Sequence, residues 1–326
     1  MRFTTKIKKH TKQNVLSVIN LLKAGDIVAL PTETVYGLAG RCDKEKTIKN
    51  IYQIKNRPKS NPLIVHYSNS YDALKDIYID SRAIELANKF WPGPLSIVAK
   101  IKNKSICKLV LSNLDTVAVR VPSNKIMLNI LDKLGVPLAA PSANRYGKIS
   151  PTSASDVYEE LNGKVSTILD GGLTAIGLES TVIDLSSKET KILRHGGINM
   201  KELNNIVSIY KENKKKYFKK NLSPGLSNSH YKPDASLRIN ANSPNKNEAW
   251  LAFGKIPKSF KGIGVSLSKK KCLKESAKNL YKMLRILDKA GLEKIAVQKI
   301  PEKGIGIAIN DRLKRASYSK IYNKNE

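Results

Sequence analysis

Ile27-Val28-Ala29-Leu30 is followed at once by Pro31-Thr32-Glu33-Thr34-Val35-Tyr36-Gly37, an apolar run stopped by proline and small polar residues. Four apolar residues between Gly25 and Pro31 read as a short buried strand. Upstream, Val15, Leu16, Ile19 and Leu22 fall at helical spacing, and Gly25 sits where that helix should end. Downstream, Asp43 is a suitable N-cap for a helix carrying Ile48, Ile51 and Tyr52.

Working outward, the alternation continues. Residues 62–66 read as a strand, 81–90 as a helix, 95–101 and 116–121 as strands, and 126–134 as a helix. Strand-like runs recur at 136–140, 166–169, 180–185 and 191–194. Helices and strands mixed in this way favour an α/β or α+β layered fold. Lysines then dominate 211–220 without an apolar period, and Leu222-Ser223-Pro224-Gly225 and Tyr231-Lys232-Pro233 punctuate a linker. The spacing predicts a first domain over 1–210, a linker or lid over 211–235, and a small α/β domain over 236–326. In the last, 251–253 and 263–267 read as strands. Ala277, Leu280, Tyr281, Leu284 and Leu287 form an amphipathic stripe ending at Gly291, and strand-like runs follow at 295–297 and 305–309.

Composition excludes more than it selects. No apolar run approaches the roughly 20 residues of a membrane span. The basic start, Met1 to Gln13, faintly resembles a transit peptide, but no signal-type hydrophobic region follows and the chain reads as cytoplasmic. Cys42, Cys107 and Cys272 lie too far apart for zinc-type spacing or a disulfide framework, which suits a reducing compartment. The net charge of +31 invites nucleic acid, because clustered lysines gain affinity by releasing counterions. The lysines are spread along the chain, however, and no aromatic stacking motif accompanies them. Weak tRNA contact stays open on charge alone.

No GxxxxGK[ST] loop, HExxH or GxSxG occurs. Gly304-Ile305-Gly306 lacks the third glycine of a dinucleotide fingerprint and reads as a turn. What is present is a series of polar clusters, most at the ends of predicted strands, where open α/β sheets collect ligands. Pro31 to Gly37 is followed by Lys55-Asn56-Arg57-Pro58, Asn61 to His66 and Phe90-Trp91-Pro92-Gly93-Pro94-Leu95. Asp115-Thr116 to Arg120-Val121-Pro122, Ala139-Ala140-Pro141-Ser142-Ala143-Asn144, Ser150-Pro151-Thr152, Glu179-Ser180-Thr181 and Arg194 complete it. Singly, each could be a cap, a turn or a packing corner.

In this order they resemble the threonylcarbamoyl-AMP synthase, or YrdC-like, family. Ser223-Pro224-Gly225, His230-Tyr231 and the tail from Gly304 to Ser317 are similar to the two-domain form, so the likeness spans nearly the whole chain. It implies a YrdC-like twisted mixed sheet around a basic concave cavity, with a small Rossmann-like C-terminal domain. The implied reaction joins ATP, L-threonine and bicarbonate into threonylcarbamoyl-AMP, which downstream tRNA-modification proteins use.

The resemblance assigns Lys55 and Arg57 to the nucleotide phosphates, Arg120 to the threonine carboxylate and Arg194 to a position closing over the nucleotide. Lys55, Arg57 and Arg120 would carry catalysis, with Lys55 and Arg57 near the surface of the cavity. Thr32, His66 and Ser180 match the threonine pocket, and Thr116, Ser142, Asn144 and Ser150 the surroundings of ATP. No general base is assigned. Mg²⁺ is expected to arrive with ATP, without protein ligands. Leu226, Ser227 and Asn228 depart from the family's linker, and His195 replaces a usual proline. The competing readings are a non-catalytic RNA-binding module and a carbamoyl transferase of hydrogenase maturation. The latter's family adds cysteine-rich zinc modules, which three scattered cysteines do not supply.

Overall fold

The computed structural model describes residues 4–103, 105–210 and 230–318. The chain divides into two compact units, Met1–Tyr146 with Ser150–Leu226, and Gly147–Ile149 with Ser227–Glu326.

The first unit opens with β1 (Lys6–Lys9), α1 (Lys12–Lys23), β2 (Val28–Leu30), β3 (Gly37–Arg41) and α2 (Glu45–Lys55). Next come β4 (Ile64–His66), α3 (Ser70–Lys75), α4 (Ser81–Phe90), β5 (Leu95–Lys100), α5 (Lys108–Leu111), β6 (Thr116–Arg120) and α6 (Lys125–Leu134). It closes with β7 (Leu138–Ala139), α7 (Ala154–Leu161), β8 (Thr167–Asp170), β9 (Thr181–Asp184), β10 (Lys191–Arg194) and α8 (Met200–Asn204). Its described strands form one mixed ten-stranded sheet in the order β1-β8-β2-β3-β7-β4-β6-β5-β9-β10.

Because successive side chains on a strand face opposite ways, the inner strands serve two cores. Ala29, Leu38, Val65, Ile97, Val119 and Ile183 join a cluster with Ile48, Ile51, Leu86, Val157 and Leu161 from α2, α4 and α7. Val28, Leu30, Ala39 and Leu138 face the other way, onto Val18 and Leu22 of α1 and Ile130 and Leu131 of α6. Beyond β7 that second face carries a small cluster of Ile64, Val98, Ala118, Val182 and Leu193, whose buried members are all strand residues. No helix residue among the described residues joins this cluster, and this stretch of sheet positions the site.

Several expectations are corrected. Within the basic start, Lys6–Lys9 form β1, paired parallel with β8 at the sheet edge. Lysines on an edge strand keep it from pairing further. In α1 the buried stripe is Val15, Val18, Ile19 and Leu22, while Leu16 is 55% exposed. Asp43 does not cap α2: its carboxylate pairs with Arg41 at 2.6 Å, and Lys44 takes the N-cap position without a side-chain bond. No helix among the described residues is long and apolar enough to cross a membrane.

The second unit contains β11 (Ser236–Ala241), β12 (Glu248–Ala252), β13 (Gly264–Ser266), α9 (Leu273–Lys289), β14 (Lys294–Gln298) and α10 (Gly306–Ala316). Its strands run parallel in the order β11-β14-β12-β13. The expected α9 stripe is buried as read. The strand expected at 305–309 is instead the start of α10, and Gly306 opens that helix. A Cβ on Gly306 would stand 2.1 Å from Pro301 O, so the glycine is there for close approach. Its apolar contacts continue through Ile309, Leu313 and Ala316 at helical spacing. His230 and Tyr231, read as linker residues, are buried in this unit, Tyr231 stacked on Tyr281 at 5.9 Å. Ser223 to Asn228 lie outside the described residues.

Helix α7 starts on a reciprocal cap: Ser153 Oγ accepts from Asp156 N at 3.1 Å, and Asp156 Oδ2 accepts from Ser153 N at 3.1 Å. Ser153→Ala should lower unfolding stability by about 1 kcal/mol, read from urea midpoints. An unchanged midpoint would assign the start of α7 to the packing of Val157 and Leu161 alone.

Candidate active site

On this stretch of the sheet, strand ends deliver charged and hydroxyl side chains to one place. His66 and Arg120 end β4 and β6 and are register partners. Each lies two residues beyond a member of the small apolar cluster, Ile64 or Ala118, and so shares its face. Ser96 pairs with Val182 and faces the same way. Its Oγ is 2.8 Å from Oγ of Ser180, just ahead of β9. Arg194 then donates from Nε to Ser180 O and from Nη2 to Ser180 Oγ, both at 3.0 Å.

Arg194 reaches this face through an irregularity. Ile192 opposes Ile183, yet Arg194 opposes Val182, so the register slips by one residue at Leu193. Such a bulge puts an extra residue in one strand and re-aims the next side chain. Leu193 and Arg194 thereby serve the same face. Gly196 completes the corner, since a Cβ there would lie 2.3 Å from Thr181 N and 2.4 Å from Glu179 O.

The loop after β2 meets Arg120. Thr32 Oγ1 donates to Val35 O at 2.6 Å and accepts from Thr34 N and Val35 N, so this hydroxyl builds the turn that shapes the loop. That turn presents Glu33 and Thr34 to the guanidinium: Arg120 Nη2 donates to Glu33 Oε1 at 2.5 Å and to Thr34 Oγ1 at 3.1 Å. Arg120 Nε donates to Gly93 O at 3.3 Å. Tyr36 pins the loop's far end, donating to Gly172 O at 2.8 Å and accepting from Gly171 N.

A second group surrounds the loop after β7. Lys55 Nζ donates to Ser142 O and Asn144 O, each at 2.5 Å, and Ser150 Oγ donates to Glu179 Oε1 at 2.6 Å. Arg57 donates from Nε to Asn61 O and from Nη2 to Asn61 Oδ1 and Pro62 O, with its guanidinium 5.8 Å from the Tyr146 ring. The expectation of cations near the cavity surface is corrected here. Lys55, Arg57, Arg120 and Arg194 are between 1% and 7% exposed. Carbonyl oxygens and, for Arg120, a carboxylate absorb their N–H groups, which is how buried cations are retained. Burial first, and then the charge of Arg57, push the Lys55 ammonium well below the ordinary lysine range.

The structure therefore brings Arg120, His66, Ser180 and Arg194 together, and Lys55, Ser142, Asn144 and Ser150 around a neighbouring loop. Thr116 stands apart. It shares the face of Ala118 but begins β6, four strand residues from Arg120, about 13 Å. Its Oγ1 is buried without a hydrogen-bond partner. Glu33, Thr34, Ser96 and Glu179 belong to these networks and were not singled out from the sequence. Ser96 carried a readable signal, a lone hydroxyl inside the apolar run Leu95-Ser96-Ile97-Val98. Among the described residues no group of three His, Cys, Asp or Glu side chains is placed to hold a metal ion.

Two family profiles match this chain. Residues 20–196 match the Sua5/YciO/YrdC family, described as telomere recombination, and residues 198–317 match the threonylcarbamoyl-AMP synthase C-terminal domain. A threonylcarbamoyl-AMP synthase of Pyrococcus abyssi is 37% identical over 317 residues, covering 92% of this chain and 93% of its own. One from Bacillus subtilis is 33% identical over 321 residues, 92% of each chain. The crystal structure of P. abyssi Sua5 complexed with L-threonine matches with a TM-score of 0.86 at 33% identity, covering 97% of this chain and 98% of that one.

His66 supplies a pH test of the site's electrostatics. Burial, then the Arg120 charge, push its pKa from 6.5 down to about 3. Between those values the unfolded chain binds the proton and the folded chain does not. The contribution of neutral His66 to stability is complete above 6.5 and is lost as pH falls toward about 3. Urea midpoints taken at about pH 7 and about pH 4.5 should fall further for the native chain than for His66→Gln. Equal losses would assign the acid sensitivity to carboxylates instead.

Proposed function

The chain belongs to the threonylcarbamoyl-AMP synthase family, and from that premise we propose how its residues divide the work. The enzyme is a nucleotidyltransferase that converts L-threonine, bicarbonate and ATP to threonylcarbamoyl-AMP, pyrophosphate and water. The threonine amine and bicarbonate give a carbamate and water. A carbamate oxygen then bonds to the α-phosphorus of ATP as the bond to the β-phosphate oxygen breaks and pyrophosphate leaves. That chemistry asks the protein for placement and charge neutralisation more than for covalent help.

The observation that carries this reading is the placement of Arg120, His66, Ser180 and Arg194 on one face of the sheet, with Arg120 hydrogen-bonded to the loop after β2 and Arg194 to Ser180. In our proposal Arg120 receives the threonine carboxylate, since a planar guanidinium bonds two oxygens at once. Neutral His66 and Ser180 orient the threonine hydroxyl, and Thr32 acts by shaping the loop. Arg194 and Arg57 neutralise the nucleotide phosphates. Lys55 holds the Ser142–Asn144 backbone in place for ATP, and Ser150 and Thr116 offer hydroxyls to the nucleotide. Mg²⁺ enters on the ATP phosphates. The product's threonylcarbamoyl group goes to tRNA through other proteins, the net charge of +31 permits weak tRNA contact, and the reaction runs in the cytoplasm.

Pyrophosphate release from ATP should require threonine and bicarbonate together. Release without either substrate would remove the synthase reading. Within that assay valine should be slower than threonine by roughly 10⁴-fold, because a site built for a hydroxyl leaves buried groups unpaired when it is missing. Equal rates would take His66 and Ser180 out of the proposed role.

A further inference from the structure

Among the described residues Glu33 is the one carboxylate paired with Arg120, and half of it is idle. Its side chain is 8% exposed. Oε1 takes Arg120 Nη2, while Oε2 is buried and has no hydrogen-bond partner among the described residues. An ionised carboxylate offers lone pairs on both oxygens, and a buried acceptor left empty calls for a reason. Arg120 is idle in the complementary sense. Nε and Nη2 are spent on Gly93, Glu33 and Thr34, and Nη1 makes no hydrogen bond among the described residues. The pair thus keeps one unfilled carboxylate oxygen and the two N–H bonds of Nη1 unspent within a single ion pair.

We propose that Glu33 Oε2 receives the α-amino group of the substrate, beside Arg120 Nη1 for its carboxylate. This rests on the synthase reading and adds to it the residue that places the reacting nitrogen. A free amino acid carries an ammonium and a carboxylate on one carbon, the mirror of the charges that Glu33 and Arg120 present. No protein cation competes for Oε2 from the adjacent strand end, since His66 beside Arg120 is held neutral. A pocket meant only for phosphates would be worsened by this carboxylate, which repels them. The same repulsion keeps ATP oxygens away from the amine subsite and so fixes which end of the site takes which substrate. Glu33 is also held rigidly. The Thr32 hydroxyl ties the turn around it, and its own carbonyl accepts from Ile176 N at 2.9 Å. A subsite prepared in this way orders little on binding.

The test compares two ligands by calorimetry on the full chain: L-threonine, and 3-hydroxybutyrate, which is threonine without its amine. Native protein should bind threonine at least about tenfold tighter, the worth of one charge-assisted hydrogen bond. Glu33→Gln keeps an oxygen for Arg120. It should weaken threonine about tenfold or more and leave 3-hydroxybutyrate unchanged or tighter, so that the preference collapses. Equal weakening of both ligands would reduce Glu33 to a support for Arg120 and overturn the inference. So would native protein that holds 3-hydroxybutyrate as tightly as threonine, a result that needs no variant to fold. In either case threonine-dependent pyrophosphate release by the native chain would still stand. A native chain that neither binds threonine nor releases pyrophosphate overturns the synthase reading itself, and this inference with it.

Discussion

A guanidinium taken out of water must be given acceptors, and meeting that demand for Arg120 organises much of this unit. The charge sits at the end of β6, where its strand neighbour is an imidazole, His66, and not a carboxylate. Its acceptors come from elsewhere: Gly93 ahead of β5, and Glu33 and Thr34 from the loop after β2. Those segments are far apart in sequence, so one buried charge joins distant parts of the sheet. Breaking a buried pair by removing one partner strands the other charge at a cost of about 3–5 kcal/mol. The local geometry of the site is therefore stiffened by the same ion pair that serves it.

The other cations repeat the pattern with weaker acceptors. Lys55 is bound by two carbonyls, Arg57 by Asn61 and Pro62, and Arg194 by the backbone and hydroxyl of Ser180. The acceptors named for these three are neutral, whereas Arg120 also meets the Glu33 carboxylate. The bulge at Leu193 matters for Arg194, because without the slip it would face the helix-covered side.

Much of the first unit could be read from periodicity because its elements are ordinary ones. The helix over 81–90 buries Ala83, Leu86 and Ala87 at helical spacing, and 95–100 and 116–120 are apolar runs between turns. Elements made of unsuitable residues were not readable. Strand β1 is mostly lysine, and β3 is Gly-Leu-Ala-Gly-Arg, small because α2 packs against it so closely that a Cβ on Gly40 would meet Thr47 Cγ2 at 2.4 Å. Helix α10 begins with alternating isoleucines that imitate a strand until Leu313 and Ala316 reveal the longer period. At the site, the order of motifs pointed to Arg120, Ser180 and Arg194, which the sheet brings together. Which way Lys55 turns, and that Glu33 and Ser96 complete the networks, depends on partners 84 to 89 residues away. No local pattern encodes such pairings.

The same geometry explains why a histidine can sit beside an arginine in a site for anions. Two cations in register would repel, and both would have to be held out of water. Depressing the imidazole pKa to about 3 removes that conflict at physiological pH. A neutral ring can both donate and accept, which a hydroxyl needs and a carboxylate does not. In the proposed roles His66 is thereby suited to the substrate's side chain and Arg120 to the carboxylate. On that reading, discrimination between the two ends of one small amino acid follows from protonation states that burial imposes.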